Sequence, residues 1–278
     1  LELRNAVRID PSFRQAQLKL AETFLELGKT QEAFRTYSAV SQLDPNNAEA
    51  RLKTAMFYVL GGKADEARDH VDAVLDIEPD NPQALFLLAY MQVQEDKAPE
   101  ARSTLERVLQ KDRSLVQAYW GKAQLFARED LRDEAEATLR QALVIDPDNL
   151  KTVAMLVQFQ LAREDYEAAQ AVLDEALARQ PANTELVIAK ANVYDRAGQA
   201  KKAAQALERA MAEDPQALKP IMVSAQYYAA SGQEQKAQRL FQKALSLQPA
   251  NGSVLVAAGR HFAANGDIVQ ARASAEKA

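Results

Sequence analysis

Apolar side chains along this chain recur at the spacing of one face of an α-helix. Two sets of three residues show the pattern within one short stretch: Tyr119, Ala123 and Phe126, and then Ala135, Leu139 and Ala142. An α-helix completes a turn in about 3.6 residues, so each set lies on one side of a helix. The spacing predicts two consecutive amphipathic helices.

This two-helix pattern recurs every 34 residues. One place in the recurrence is always alanine: Ala33, Ala67, Ala101, Ala135, Ala169, Ala203, Ala237 and Ala271. A second place is almost as small: Ala21, Ala55, Ala89, Ala123, Val157, Ala191, Ala225 and Gly259. The distance between two packed helices depends on the side chains at their contact, and small residues allow a close approach. The period therefore predicts an array of tightly packed helix pairs.

Prolines mark the same period. Seven of them fall on one series with a step of 34 residues: Pro11, Pro45, Pro79, Pro147, Pro181, Pro215 and Pro249. The series is interrupted once, at Arg113, where the sequence KDRSL keeps the acidic residue but loses the proline. The regular spacing indicates where one helix pair ends and the next begins.

A repeat of 34 residues with small, large apolar and proline places in this order resembles the tetratricopeptide repeat (TPR) family. The resemblance covers the whole chain and implies an all-α fold, a right-handed superhelical solenoid of antiparallel helix pairs in a single domain over residues 1–278. Seven full repeats are expected, at 14–47, 48–81, 82–115, 116–149, 150–183, 184–217 and 218–251. Residues 1–13 are the expected end of a preceding repeat and 252–278 a truncated one. The chain is thus expected to be a fragment of a larger bacterial multi-TPR protein.

Turn residues follow the first helix of each repeat. Five repeats have glycine there: Gly28, Gly62, Gly198, Gly232 and Gly266. Asp96, Asp130 and Glu164 replace it in the three central repeats, where we expect a different or slightly strained turn. Pro82, Pro99 and Pro220 are expected in the first turn of a helix, where a missing N–H costs nothing.

Composition and charge narrow the range of partners. Lys and Arg number 34 against 39 Asp and Glu, and the two signs are interleaved, which argues against a nucleic-acid partner. There is no cysteine, so disulfides and cysteine zinc sites are excluded. No run of 18 apolar residues occurs, and direct membrane insertion of this segment is not expected. The chain opens on Leu1 without a signal peptide, so localisation is open, with a bacterial periplasm or envelope slightly favoured over the cytoplasm.

The sequence offers no candidate for catalytic chemistry. His70 and His261 lie far apart without a nearby cysteine or histidine; we expect His70 on a solvated helix face and His261 packed beside Phe262. Acidic pairs such as Asp65–Glu66 open second helices, where carboxylates favour the positive helix end. We therefore predict no enzymatic activity, no metal site and no cofactor.

In the TPR family the first helices line a concave groove that binds partners. The resemblance implies that the corresponding residues form the groove here: Leu18, Leu52, Met56, Phe86, Tyr90, Trp120, Gln124, Gln158, Ile188, Asn192, Met222 and Gln226. Phe86, Tyr90 and Trp120 would make an aromatic part, and the amides a polar part. Gly121 is expected to leave room for a neighbouring side chain. The alternative is that the large apolar members pack between adjacent first helices.

The leading interpretation is a non-enzymatic scaffold that binds a peptide or helix of another protein in this groove. Similar bacterial chains suggest assembly of an envelope, polysaccharide-export or secretion complex as its setting. The alternative is a substrate-presenting TPR arm of a larger enzyme such as a glycosyltransferase. Self-association through open repeat ends is a third possibility. The places where the family's carboxylate clamp needs lysine are uncharged here, so capture of a carboxylate tail by that clamp is not expected.

Overall fold

The computed structural model describes residues 2–10 and 12–278, which form seventeen α-helices and contain no strand. Leu1 and Pro11, the first proline of the series, lie outside the described residues. The helices are α1 (Glu2–Ile9), α2 (Arg14–Glu26), α3 (Thr30–Leu43), α4 (Ala48–Leu60), α5 (Ala64–Ile77), α6 (Pro82–Gln94), α7 (Ala98–Lys111), α8 (Val116–Arg128), α9 (Arg132–Ile145), α10 (Leu150–Ala162), α11 (Tyr166–Arg179), α12 (Thr184–Arg196), α13 (Ala200–Glu213), α14 (Leu218–Ala230), α15 (Glu234–Leu247), α16 (Gly252–Ala264) and α17 (Ile268–Ala275). The predicted all-α class is confirmed, and α8 and α9 are the two helices that the apolar spacing predicts.

The helices alternate between two lengths. The even-numbered first helices, α2 to α16, have 13 residues and begin 34 residues apart. The odd-numbered second helices, α3 to α15, have 14 residues. Within each pair the helices pack against each other across a three-residue turn, which makes them antiparallel neighbours.

The chain divides into two compact units, unit 1 (Leu1–Ile145) and unit 2 (Asp146–Ala278). In unit 1, each helix from α1 to α9 packs against the next, and the first helices α4, α6 and α8 also contact one another in order. In unit 2 the same holds for α10 to α17, and α12 contacts both α10 and α14. Each unit therefore has a layer of adjacent first helices. The interpretation of the chain as one solenoid domain stays a prediction.

Buried alanines hold each helix pair together. Seven of the eight invariant alanines are fully buried: Ala33, Ala67, Ala101, Ala135, Ala169, Ala203 and Ala237. Gly121 serves the same close packing, because a Cβ there would lie 3.3 Å from Leu105 Cδ1. The expectation that Gly121 makes room for a neighbour is confirmed, and the neighbour is a leucine of α7.

The turns within the helix pairs share one conformation. Gly28 has φ +70°, its N–H donates to the Leu25 carbonyl at 3.0 Å, and the Lys29 N–H donates to the Phe24 carbonyl at 2.7 Å. This is the Schellman arrangement of a helix C-terminus. Asp96, Asp130 and Glu164 adopt φ of 60°, 60° and 57° and make the same pair of bonds. Of the two expected alternatives, a different or a slightly strained turn, the strained turn is present, because side chains other than glycine rarely adopt this φ.

The loops between helix pairs begin the next first helix with a cap. Five asparagines cap it through their side-chain oxygens: Asn47, Asn81, Asn149, Asn183 and Asn251. Where the proline is replaced by Arg113, the Tyr119 hydroxyl donates to the Arg113 carbonyl at 3.2 Å. Pro82, Pro99 and Pro220 lie in the first turns of α6, α7 and α14, as predicted. None of the helices in the described ranges has the length and apolar character required to cross a bilayer.

Candidate binding surface on the first helices

Two rows of predicted groove residues differ in exposure. Two of the large apolar members lie in the core, Leu52 and Ile188, each 6% exposed, whereas Leu18, Phe86, Trp120 and Met222 are half-buried. Members one helical turn later face solvent: Tyr90, Gln124, Gln158, Asn192 and Gln226 are exposed, and Met56 is half-buried. The first row is thus partly packed and the second row is more accessible, and the assignment of both rows to a groove stays a prediction.

In unit 1 the aromatic groove residues also differ in their exposure to solvent. Phe86 packs beside the buried cluster that contains Leu85 and Leu105, and Trp120 packs against the cluster of Val116, Tyr119 and Ala142. Tyr90 is 44% exposed and follows Phe86 by one helical turn on α6. Tyr90 is thus the aromatic residue of this layer with the most accessible ring.

In unit 2 a pocket of about 240 Å³ opens between α10 and α12. Its walls are largely aliphatic, and three predicted groove residues line it, namely Gln158, Ile188 and Asn192. The lining residues are Leu150, Val153, Ala154, Val157, Gln158, Leu173, Glu185, Leu186, Ile188, Ala189, Asn192 and Lys219. Gln158 and Asn192 lie one repeat apart and are both exposed, so their amides border an apolar depression.

Lys219 and Glu185 form the charged part of the pocket rim. Lys219 is in the first turn of α14 and Glu185 in the first turn of α12, and Lys219 Nζ lies 2.5 Å from Glu185 Oε1. The two side chains are 60% and 57% exposed. Solvent-exposed ion pairs contribute about 0–1 kcal/mol, so this pair adds little to stability.

The two histidines are packed, and neither lines the pocket. His70 is half-buried and stacks on Tyr58 with ring centroids 5.6 Å apart, so the expectation of a solvated helix face is wrong. Burial, and then the positive charge of Arg51, lower the pKa of His70. His261 is buried against Phe241 and Phe262, which confirms the expected packing.

The acidic pairs occupy helix starts. Asp65 and Glu66 lie in the first turn of α5, and Asp133 and Glu134 in the first turn of α9. Carboxylates there complement the positive end of the helix dipole, as the sequence predicts. Within the described ranges, no group of three or more His, Cys, Asp or Glu side chains is placed to hold a metal ion.

The predicted groove residues do not include Lys219 and Glu185, the charged rim of the pocket. Lys219 and Glu185 occupy the second residue of their helices, a row that the family also uses to line its groove. The sequence contains an indication of this rim, because Lys151, Glu185 and Lys219 occupy that position in three consecutive repeats. The pairing of Lys219 with Glu185 requires the three-dimensional arrangement of α12 and α14.

Tandem helix pairs whose first helices form an accessible layer in each unit define a helical repeat protein. The family model described as "Tetratricopeptide repeat protein 21 N-terminal ARM repeat" matches residues 31–170, half of the chain. Two models described as tetratricopeptide repeat match residues 160–221 and 221–251. The chain belongs to the tetratricopeptide repeat family, whose members generally mediate protein–protein interactions and are generally non-catalytic. No curated protein matches the chain.

Solved structures of TPR proteins share the fold. A TPR protein from Parabacteroides merdae is 15% identical with a TM-score of 0.56, covering 90% of this chain and 98% of its own. The C-terminal part of a TPR protein from Cytophaga hutchinsonii is 14% identical with a TM-score of 0.55, covering 86% and 98%. Yeast Tom70 is 15% identical with a TM-score of 0.61, covering 89% of this chain and 56% of its own. Identities this low show similarity of fold alone.

Proposed function

We propose that this chain is a non-enzymatic scaffold that binds a segment of another protein along its first-helix layers. The observation that carries the proposal is the pocket between α10 and α12, where an apolar depression is bordered by exposed amides. Aliphatic walls with a few polar groups at the edge are typical of a binding site. The predicted groove residues Gln158, Ile188 and Asn192 line this pocket, and we extend the proposed surface of unit 2 to Gln226. In unit 1 we propose a separate surface at the exposed Tyr90 and Gln124.

The free energy that micromolar binding requires favours a contact along several first helices. Burying one large apolar side chain contributes about 1.5–3 kcal/mol, whereas micromolar affinity requires about 8 kcal/mol after the costs of association. One pocket is therefore insufficient, and a partner segment would also use the exposed amides of neighbouring first helices. Each amide offers both a donor and an acceptor to a partner, and a typical hydrogen bond contributes about 0.5–1.5 kcal/mol.

Selection of peptides from a random dodecapeptide phage library tests the proposal without a known partner. Selected peptides are labelled and their dissociation constants measured by fluorescence anisotropy. The triple variant Gln158→Ala, Asn192→Ala, Gln226→Ala removes three exposed amides from the first-helix layer of unit 2, and we expect binding to weaken by about 10-fold or more. Helical content should be unchanged because all three side chains are exposed.

A matched control uses three exposed glutamines on second helices of the same unit. Gln205 lies on α13, and Gln235 and Gln242 lie on α15. Their replacement by alanine should leave the affinity unchanged. If the first triple variant binds as tightly as the unmodified chain, or if the library yields no binding peptide, the proposed function is wrong.

A further inference from the structure

We infer that the pocket of unit 2 binds an extended peptide segment, with an aliphatic side chain between α10 and α12 and an acidic side chain at Lys219. The inference rests on the proposed function and names the chemical class of the partner. It depends on three observations: the aliphatic walls of the pocket, the amides on its border and the charges on its rim.

The walls select an aliphatic side chain. Val153, Val157, Leu173 and Ile188 contribute hydrocarbon surface, and the ionisable groups that line the pocket are Glu185 and Lys219. A polar side chain placed against those walls would lose its hydrogen bonds to water without replacement. A volume of about 240 Å³ admits one side chain but not a helix, whose diameter with side chains is about 10–12 Å.

The amides favour an extended backbone. Gln158 on α10 and Asn192 on α12 are exposed at the pocket border. The peptide groups of a bound helix would already be bonded within the helix, whereas an extended segment has free N–H and C=O groups. Each amide side chain can donate to the carbonyl and accept from the N–H of such a segment.

Lys219 offers a contact for an acidic neighbour. The pocket rim carries one anion and one cation, Glu185 and Lys219, in the first turns of α12 and α14. The N-terminal ends of the two helices add partial positive charge. Because the pair of Lys219 and Glu185 is exposed and contributes little, a partner carboxylate can replace Glu185 at Lys219, and the displaced Glu185 carboxylate can remain in water.

The experiment uses the full chain and the phage-selected dodecapeptides described above. We expect the selected peptides to be enriched in an aliphatic residue with Asp or Glu within two residues of it. Ala154 lines the pocket and is exposed, so Ala154→Leu fills the pocket without disturbing the core and should weaken binding about 10-fold or more. Ala162→Leu, an exposed alanine on the same helix outside the pocket, should leave binding unchanged.

Charge reversal tests the acidic contact. Lys219→Glu should weaken binding of the acidic peptide about 10-fold, and replacing the peptide's acidic residue by lysine should restore affinity for Lys219→Glu alone. Lys243→Glu, at an exposed lysine on α15, is the matched control and should have no effect. Circular dichroism of each variant checks that the helices are intact.

The outcomes separate this inference from the proposed function. If binding depends on the three amides but is indifferent to Ala154→Leu and Lys219→Glu, the inference is overturned and the proposed function stands. If binding is indifferent to the amides as well, or if no peptide is selected, both are overturned. If the peptide reversal fails to restore binding to Lys219→Glu, the acidic contact is overturned.

Discussion

At the scale of single residues, the described core contains polar atoms without a hydrogen-bond partner. The Tyr37 hydroxyl is one of them, and the Tyr37 side chain on α3 is fully buried in a cluster with Ala21 and Phe24 of α2. Burial, and then the negative charges of Glu22 and Glu49, raise the pKa of Tyr37 to about 12. In unit 2, Phe241 occupies the same place in its repeat and is 2% exposed. The fold thus accepts a ring without a hydroxyl at this place.

We predict that Tyr37→Phe raises the free energy of unfolding by about 1 kcal/mol. A buried polar group without a partner costs about 1–3 kcal/mol, and phenylalanine keeps the ring while removing that cost. Urea denaturation at pH 7, followed by circular dichroism, measures the change. The control is Tyr228→Phe, since the Tyr228 hydroxyl lies 3.2 Å from Glu208 Oε1 and its removal should not stabilise the chain. A loss of stability in Tyr37→Phe would contradict the prediction.

At the scale of helices and turns, the Schellman turns show what local sequence determines. Glycine adopts φ near +70° without cost, and five turns use it. Asp96, Asp130 and Glu164 are held in the same conformation because the helices on either side pack against each other and fix the turn. Aspartate tolerates positive φ better than glutamate, so Glu164 carries the larger strain.

We predict that Glu164→Gly stabilises the chain by about 0.5–1 kcal/mol. The left-handed conformation costs most residues about 1–2 kcal/mol, and the greater flexibility of unfolded glycine offsets part of the gain. Thermal and urea unfolding measure the effect. Gly28→Ala is the inverse control: its Cβ would meet no atom within 4 Å, so backbone strain alone should destabilise that variant by a similar amount. Equal stability of Glu164→Gly and the unmodified chain would show that the turn is not strained.

At the scale of the whole molecule, the period of 34 residues made the fold predictable because each repeat uses the same few buried places. Ala101 and Leu139 are both buried by helices nearby in the sequence. The small size of Ala101 and the helical spacing of Leu139 indicate that burial in the sequence itself. Exposure along the first-helix layers was harder to predict. Leu52 and Met56 are both apolar and one helical turn apart, yet only Leu52 reaches the core. The pocket was unpredictable, because it depends on how α10, α11, α12 and α14 fit together.

Each compact unit contains its own core, and this has a consequence for folding. In unit 2, one cluster centres on Tyr228, Phe241 and Phe262, and another on Ile221 and Val254. Repeat proteins are stabilised by contacts within repeats and between neighbouring repeats, so a run of adjacent repeats can fold without the rest of the chain. Unit 2 contains four first helices and four second helices, which exceeds the three repeats that such arrays need.

We therefore predict that a fragment of residues 146–278 folds alone and keeps the pocket. Its helical content per residue should match that of unit 2 in the full chain, and selected peptides that use the pocket should bind it with the affinity of the full chain, because every pocket residue lies within it. Circular dichroism, urea denaturation and fluorescence anisotropy measure these properties.

A fragment of residues 184–278 lacks α10 and α11 and should remain helical but lose peptide binding, since one wall of the pocket is missing. Ile221→Asp in the longer fragment should abolish cooperative unfolding, because it places a charge at a fully buried position. An unfolded fragment of residues 146–278 would show that the core of unit 2 is insufficient by itself.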